Sequence, residues 1–273
     1  MTDYEIAEKG SRLTFDSIGA YVRSLSLAGV DILMKTPDGE QTHGGAAILI
    51  PYANRVRNAT YRWEGKDYHL PKNSGEHSIH GLTRTLNWDV YKESQKAVLT
   101  TIIRNEGYPE ELGVRLNMAV DSNSFWIQMN FKNSGKTSVP LSPGMHPYFR
   151  FKDSWQIRAY AKIKMLEYAD GYFPDGNMVR VDQDLLSSES GQAFDNCFTM
   201  GNRITLMLGN HSISIETENM PYFVIYNGRY SDGKSVAVEP MVGAPDAFNN
   251  RIGLVMLGPL EQFTCSAKFE LIK

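Results

Sequence analysis

Short segments rich in β-branched and aromatic residues dominate the sequence and constrain its fold most strongly. Five of them are Tyr21–Leu27, Val98–Ile103, Phe125–Phe131, Ser212–Thr217 and Tyr222–Tyr226. The first and fourth alternate between apolar and polar residues, as half-buried strands do, while the others alternate only partly, which indicates burial on both faces. No window longer than about a dozen residues keeps the apolar spacing of an amphipathic helix. The sequence therefore predicts an all-β protein.

Turn-forming dipeptides recur between these segments, as a hairpin-rich fold requires. They are Asp38-Gly39, Glu64-Gly65, Ser134-Gly135, Asp170-Gly171, Asn227-Gly228 and Asp232-Gly233. Many short strands separated by turns favour a large antiparallel β-sandwich. No linker rich in Pro, Gly or Ser divides the chain, so we expect a single domain over residues 1–273. The least strand-like stretch, Asp182–Asn196, is predicted to be a long loop.

Charge and hydropathy argue against several classes of function. The formal net charge is -3 without long runs of like charge, whereas a nucleic-acid-binding surface shows clustered Lys and Arg. No apolar run approaches the length of a membrane span, and residues 1–10 lack the features of a signal peptide. We therefore expect a cytoplasmic protein that binds neither nucleic acid nor membrane. Its oligomeric state, monomer or dimer, stays open.

One histidine lies in a tightly constrained segment, Pro143–Phe149, with the sequence PGMHPYF. Gly144 permits unusual backbone angles, and Pro147 pushes His146 toward an extended conformation. An imidazole titrates near neutrality, so a histidine fixed in this way can give or take a proton at physiological pH. The segment fits either a core histidine bonded to a carbonyl or a site for a small polar molecule such as a sugar.

Polar residues also follow apolar runs in the first third of the chain. Asn54 and Arg55 offer donors and an acceptor for sugar hydroxyls, although they could also cap a turn. His77 and His80 are a weak metal signal, because they lie outside a helix without a third ligand nearby. Side chains three apart on a strand point to opposite faces, so we expect only one of them in a site and favour His80, beside Gly81.

Two carboxylates are placed in apolar surroundings further along the chain. Asp195 is bracketed by apolar residues, and Glu239 ends the apolar strand Val236–Val238. Burying a charge is costly, so such a carboxylate is either paired or directed into a pocket. Burial would raise the pKa of Glu239 toward the range of a general base. We expect the turn at Pro245–Asn249 to close over the same site.

In chain order, these residues resemble the aldose 1-epimerases, or galactose mutarotases, from about Gly19 to Phe269. The matching segments are Asn54-Arg55-Val56, His80-Gly81, His146 before its aromatic pair, Asp195, and Glu239 with Pro245-Asp246-Ala247. The resemblance implies a single antiparallel β-sandwich of the galactose mutarotase type, without metal or organic cofactor. It also implies an isomerase that interconverts the α and β anomers of a free monosaccharide.

The resemblance assigns roles position by position. Glu239 matches the general base that removes the proton of the C1 hydroxyl, and His146 matches the general acid that protonates the ring oxygen. His80 matches a second histidine that hydrogen-bonds near the ring oxygen and C1. The residues that match those holding the sugar hydroxyls are Asn54, Arg55 and Asp195. Aromatic side chains expected on the C–H face of the sugar are Tyr148, Phe149, Tyr172 and Phe173.

Differences from the family leave the identity of the sugar open. Met145-His146-Pro147-Tyr148 stands where Asn-His-Ser-Tyr is usual, and Pro240-Met241 stands where Thr-Gln is usual. Arg57 and Arg84 are additional cations near the site. They would suit a phosphorylated or sulfonated sugar, as in hexose-6-phosphate epimerase relatives, but we favour solvated surface charges.

Three other interpretations remain. A non-catalytic sugar-binding β-sandwich would keep the hydroxyl-binding residues but would need neither Glu239 nor His146. A glycoside hydrolase or lyase could use Asp195 and Glu239 as its two carboxylates, which would leave the positioned histidine unexplained. A metal enzyme would have to use His77, His80 and His146 as ligands, and their spacing is a weak signal for that.

Overall fold

The computed structural model describes residues 3–181, 185–228, 230 and 233–272, and strands dominate these ranges. They form an 11-stranded and a 9-stranded antiparallel sheet together with three two-stranded sheets. Helical structure in the described ranges includes α1 (Ala247–Asn250) and 3-10 turns at Arg57–Ala59 and Ser188–Ser190. None of these helices is long and apolar enough to cross a membrane. The prediction of an all-β sandwich is confirmed.

The large sheet holds the strands that carry the candidate site. In spatial order its strands are β1 (Asp3–Glu8), β2 (Ser11–Asp16), β3 (Val22–Leu27) with β4 (Val30–Asp31) paired to it, β5 (Ala46–Leu49), β15 (Gly144–Arg150), β24 (Ser235–Met241), β23 (Tyr222–Tyr226), β20 (Asp195–Thr199), β17 (Lys164–Asp170) and β18 (Phe173–Arg180).

The second sheet covers one face of the large sheet. In spatial order its strands are β10 (Asp89–Lys92), β11 (Lys96–Ile103), β12 (Leu112–Val120), β13 (Ser124–Asn133), β26 (Gln262–Ile272), β22 (Ser212–Glu218), β21 (Arg203–Met207), β16 (Gln156–Ala159) and β19 (Leu185–Ser187). The two-stranded sheets pair β6 (Arg55–Val56) with β9 (Ser78–Ile79), β7 (Thr60–Trp63) with β8 (Lys66–His69), and β14 (Val139–Leu141) with β25 (Val255–Leu257).

The sequence located the strands well and one loop poorly. All five predicted strands are present as β3, β11, β13, β22 and β23, with ends shifted by no more than two residues. The loop predicted over Asp182–Asn196 is wrong in part, because β19, a 3-10 turn and the start of β20 occupy its described portion, and residues 182–184 lie outside the described residues. β19 is too short for a periodic pattern, and its pairing with β16 defines it.

At its centre, the large sheet is buried on both faces, since every residue of β24 and all but the last of β15 are buried. Met145, Phe149 and Val238 belong to the core that the two sheets share. Successive side chains of a strand alternate between faces, so His146 and Glu239 lie on the face away from the second sheet. An apolar cluster that includes Ala47, Leu49, Val224 and Met241 surrounds them there.

A close backbone approach brings residues 50–54 beside residues 80–82. The N–H of His80 donates to the carbonyl of Asn54 at 2.9 Å, and the N–H of Leu82 donates to the carbonyl of Ile50 at 2.6 Å. Gly81 has a φ of +76°, and a Cβ built on it would lie 2.2 Å from the Ile50 carbonyl oxygen. Only glycine therefore allows the approach that sets His80 against Asn54.

We predict that Gly81→Ala lowers the free energy of unfolding by about 3 kcal/mol or more, because strain at positive φ adds to a backbone clash. Gly65→Ala is the matched control, since Gly65 also has a positive φ, +81°, but no atom lies within 4 Å of a Cβ built there. The control should lose only about 1 kcal/mol. Urea unfolding of both variants measures the difference, and equal losses would contradict a special role for Gly81.

Candidate active site

A cavity of about 480 Å³ lies on the face of the large sheet away from the second sheet. Its volume is within the range of small-molecule sites. All six predicted site residues contribute to its walls: Asn54, Arg55, His80, His146, Asp195 and Glu239. They come from widely separated parts of the chain, so the fold rather than any local motif assembles them.

Strand register places His146 and Glu239 side by side. Gly144 pairs with Met241 and Tyr148 with Ala237, so residues 146 and 239 face each other across β15 and β24. Nε2 of His146 lies 3.3 Å from Oε1 of Glu239. The two residues are only 6% and 1% exposed. Oε2 of Glu239 is buried without a hydrogen-bond partner among the described residues, so the pair can still bond to a bound molecule.

Burial shifts the pKa values of this pair in opposite directions. Loss of solvent raises the pKa of Glu239 well above its usual value, with Asp195 adding to the rise and Arg55 opposing it. Loss of solvent also lowers the pKa of His146 to about 3. A low-dielectric site favours the forms without charge. Burial of the pair therefore favours a carboxylic acid beside a neutral imidazole.

His80 lies next to this pair. Its ring meets that of His146 edge to face, with 5.2 Å between the ring centroids. Its Nδ1 is buried without a hydrogen-bond partner in the described ranges. Burial, followed by the charge of His146, lowers the pKa of His80 well below its usual value. A neutral imidazole has one donor and one acceptor nitrogen, so His80 can bond to a hydroxyl in either sense.

His77 lies outside the cavity. Its Nδ1 accepts a hydrogen bond from the N–H of Asn58 at 3.0 Å, and its ring packs edge-on against Phe173. Only His80 of this pair thus faces the cavity, although the reason differs from the one expected, since His80 has a φ of 64° rather than an extended backbone. Among the described residues, no three or more His, Cys, Asp or Glu side chains are grouped as metal ligands.

Asn54, Arg55 and Asp195 supply polar groups around the pair. The guanidinium of Arg55 stacks on the ring of Tyr172, 3.7 Å from its centroid. Asn54 uses Oδ1 to accept from the N–H of Arg55 at 2.9 Å, which caps the turn and leaves its amide N–H groups for a ligand. Asp195 starts β20 opposite Tyr226, and burial raises its pKa while the charge of Arg55 opposes the rise. Donors and acceptors for sugar hydroxyls are therefore present.

Asp246 does not line the cavity, so the expectation that its turn closes over the site is wrong. Its carboxylate accepts from the N–H of Arg57 at 2.9 Å and from the side chain of Asn249 at 2.7 Å. Its own N–H donates to the carbonyl of Arg55 at 2.8 Å. Asp246 thus supports the backbone of the segment that presents Arg55.

Two of the four expected aromatic contacts are wrong. Tyr148 and Tyr172 line the cavity. Phe149 is fully buried in the core between the sheets, because it alternates with Tyr148 along β15. Phe173 packs instead under the guanidinium of Arg57 at 4.3 Å, outside the cavity.

The two additional cations differ from each other. Arg57 pairs with Asp170 at 3.4 Å and approaches Asp246 at 4.0 Å, so it is a partly exposed, paired cation. Arg84 is half-buried and lines the cavity, and the expectation of a solvated surface charge is wrong for it. Its position could not be read from local sequence, because the loop that carries it has no periodic pattern.

Sequence reasoning missed His43, which reaches the cavity from the loop between β4 and β5. Its Nδ1 lies 2.7 Å from Oδ2 of Asp38, and its ring stacks on Tyr230 with 3.6 Å between centroids. The sequence does carry one signal for His43, which is that two glycines follow it. In the structure, a Cβ built on Gly45 would lie 2.3 Å from a backbone oxygen. This is the same combination of histidine and close-approach glycine that marked His80.

We predict that Glu239→Gln becomes increasingly more stable than the wild type as pH rises above about 4.5. A carboxyl whose pKa is raised by folding contributes stability at low pH that is lost as pH rises toward the folded-state pKa, at about 1.4 kcal/mol per pKa unit, and Gln lacks this loss. Urea unfolding between about pH 5 and pH 8 measures the trend. Glu216→Gln, at a half-exposed carboxylate paired with Arg203 at 3.3 Å, is the control. A pH-independent difference would contradict the burial of Glu239.

We predict that the His146 ring stays neutral down to about pH 4, because its folded-state pKa is about 3 against a usual 6.5. A histidine with a lowered pKa costs stability progressively as pH falls from 6.5 toward 3. Ring nitrogen chemical shifts in ¹⁵N-histidine-labelled protein measure the titration, with His146→Gln identifying the signal. Protonation between about pH 6 and pH 7 would contradict the prediction.

Comparison with known proteins shows where this arrangement belongs. The sequence profile of the family described as Aldose 1-epimerase matches residues 2–270. The chain is 26% identical over 267 residues to the uncharacterized protein YihR of Escherichia coli K12, covering 89% of this chain and 85% of that protein. It is 29% identical over 159 residues to human galactose mutarotase, covering 55% of this chain and 44% of that enzyme.

Solved structures share the fold over nearly the whole chain. A galactose mutarotase-like protein from Clostridium acetobutylicum superposes with a TM-score of 0.85 at 19% identity, covering 98% of this chain and 94% of that one. An aldose epimerase homologue from C. elegans superposes with a TM-score of 0.84 at 18% identity, covering 99% of this chain and 98% of that one. The sandwich is therefore of the galactose mutarotase type, as predicted, and the chain belongs to the aldose 1-epimerase family.

Proposed function

We propose that this protein interconverts the α and β anomers of a free aldose by acid–base ring opening and reclosure. The observation that carries the proposal is the buried carboxyl and imidazole of Glu239 and His146, 3.3 Å apart in the wall of the cavity. Membership of the aldose 1-epimerase family supports the same class of reaction. We expect the substrate to be a cytoplasmic monosaccharide and the reaction to need no metal or organic cofactor.

The geometry of the pair suits a hemiacetal. Ring opening removes a proton from the C1 hydroxyl and adds one to the ring oxygen, and both oxygens are bonded to C1. An acid and a base must therefore lie close together, and adjacent residues of two paired strands achieve this. In the proposed mechanism, Glu239 takes the hydroxyl proton while His146 protonates the ring oxygen, each contributing about 10²- to 10⁴-fold to the rate.

Burial of the pair determines which protonation states the mechanism starts from and ends in. The pair that burial favours holds one proton, on Glu239, and passing that proton to His146 across 3.3 Å gives the competent carboxylate and imidazolium. Ring opening then leaves a carboxylic acid with a neutral imidazole again. The uncharged form is the one that burial favours at both residues. Desolvation thus makes Glu239 a strong base and His146 a strong acid, since each gains by losing its charge. Reclosure with the roles reversed returns both protons.

The remaining groups would hold the sugar while its C1 end moves. Arg55 and Asp195 lie in the same wall, where they can bind hydroxyls. His80, edge-on to His146, is placed to hydrogen-bond near the ring oxygen. After opening, rotation about the C1–C2 bond exposes the other face of the aldehyde, and the fixed hydroxyls confine the change to C1.

We predict that Glu239→Gln and His146→Asn each slow anomer exchange by about 10²-fold or more, because each removes one proton-transfer group. Two-dimensional exchange NMR on equilibrated glucose, galactose, xylose and glucose 6-phosphate measures the rate. Glu216→Gln, the variant at a half-exposed carboxylate away from the cavity, should match the wild type.

Three outcomes would contradict this function or the role given to Glu239. Full activity of Glu239→Gln would place the base elsewhere. Line broadening of the sugar signals without exchange, in wild type and variant alike, would indicate a non-catalytic sugar-binding protein. Release of reducing ends from an oligosaccharide panel would instead favour a hydrolase that uses Asp195 and Glu239.

A further inference from the structure

Arg84 has a buried hydrogen-bond donor in the cavity wall that no acceptor among the described residues satisfies. It is half-buried in the cavity wall, and its Nε is buried with no hydrogen-bond partner among the described residues. Arg57, two residues beyond the site residue Arg55, pairs with Asp170 at 3.4 Å and so differs from Arg84. A guanidinium has five donors and no acceptor, and leaving them unpaired away from water is costly. An oxygen atom of a bound ligand would accept the hydrogen bond that Nε of Arg84 can donate.

Glu40 provides the complementary group on the same cavity. Burial lowers the pKa of Arg84, and the nearby charge of Glu40 opposes this, which places the two within electrostatic range. Both line the cavity, yet no ion pair joins them in the described part of the chain. A carboxylate only accepts hydrogen bonds and a guanidinium only donates them. A hydroxyl group does both, so one hydroxyl can bridge the two side chains.

His43 completes this side of the cavity. Asp38 binds its Nδ1 at 2.7 Å and Tyr230 stacks on its ring, so the imidazole is held in one orientation. Tyr148 ties the loop to β15, because its hydroxyl donates to the carbonyl of Thr42 at 3.0 Å. With Nδ1 engaged, Nε2 is the ring nitrogen that stays available for a ligand.

Sheet order separates this group from the residues already assigned. β15 and β24 occupy the middle of the site, and Asp195 lies beyond β24 on β20. Glu40 and His43 precede β5, which pairs with the opposite edge of β15. The charge of His43 acts on His146, whereas that of Asp195 acts on Glu239. The cavity therefore has polar groups on both sides of the acid–base pair.

Charge on this side argues for a neutral ligand group. The cations are Arg84 and, when protonated, His43, and the carboxylates are Asp38 and Glu40. Even with His43 protonated, the two positive charges are matched by two negative ones. The group therefore carries no net positive charge to attract a phosphate or sulfonate. Matched donors and acceptors without net charge suit a hydroxyl instead.

We propose that Arg84, Glu40 and His43 form a second hydroxyl-binding subsite that selects a neutral sugar by one of its hydroxyls remote from C1. This inference rests on the proposed function of the cavity, and it makes Arg84 a residue that determines sugar specificity. Arg84 acts in binding and takes no part in proton transfer at C1.

The test is a cycle between protein and ligand variants, measured as dissociation constants by NMR titration with glucose and with 2-, 3-, 4- and 6-deoxyglucose. Arg84→Gln should weaken glucose binding about 10- to 100-fold, the worth of a charged hydrogen bond. One of the deoxyglucoses should bind the wild type more weakly than glucose does by the same factor. Arg84→Gln should not weaken the binding of that deoxyglucose any further. Arg62→Gln, at an exposed arginine paired with Asp67 at 3.2 Å, is the matched control and should bind like the wild type.

Binding is measured separately from turnover, so the subsite can fail while anomer exchange stands, and the reverse. Unchanged glucose binding by Arg84→Gln would overturn the subsite. It would also be overturned if, for all four deoxyglucoses, the loss of affinity from the missing hydroxyl and the loss from Arg84→Gln were independent and multiplied. The subsite would also be overturned if the wild type bound glucose 6-phosphate more tightly than glucose and Arg84→Gln removed this preference. The guanidinium would then bind an anionic substituent. Failure of the wild type to bind glucose or any of the deoxyglucoses would also overturn it.

Discussion

The chemistry of the candidate site depends on holding one carboxyl and one imidazole together away from water, at the centre of the large sheet. The register between β15 and β24 sets Glu239 against His146, and both strands are buried on both faces. A surface pair of this kind would be solvated, and its pKa values would stay near those of the free side chains. Burial at the centre of a large sheet fixes the distance and removes the solvent at once. The size of the sandwich is therefore part of the chemistry, because a smaller sheet would expose the pair.

The groups around the pair modulate this constraint from several directions. Asp195 raises the pKa of Glu239 and Arg55 lowers it, so the two offset each other's influence on the base. His146 instead has several cations around it, and they add to the effect of desolvation. The same side chains that can hold hydroxyls thus also tune the proton affinities. A substitution at Arg55 or Asp195 would change both binding and acid–base behaviour, and their separate contributions require double-variant cycles.

Sequence patterns predicted the elements of this structure better than the contacts between them. Alternation and turn residues located five strands, and the Gly–His–Pro context marked His146. Alternation along β15 also places Phe149 on the face opposite Tyr148, in the core between the sheets. By contrast, nothing local shows that the loop carrying His43 or the one carrying Arg84 meets the central strands. Such contacts depend on which strands are neighbours, and strand order is set by the whole sheet.

Burial of the pair also distinguishes an enzyme from a protein that only binds sugar. Sugar recognition requires donors and acceptors, and Asn54, Arg55 and His80 already supply them around the cavity. Placing a desolvated carboxyl at this position lowers stability near neutral pH, because folding raises the pKa of Glu239 and so opposes its ionisation. A binding protein gains nothing from that loss. An isomerase does. In the proposed mechanism, one proton moves from His146 to the ring oxygen and another from the C1 hydroxyl to Glu239, and the two transfers together remove two buried charges.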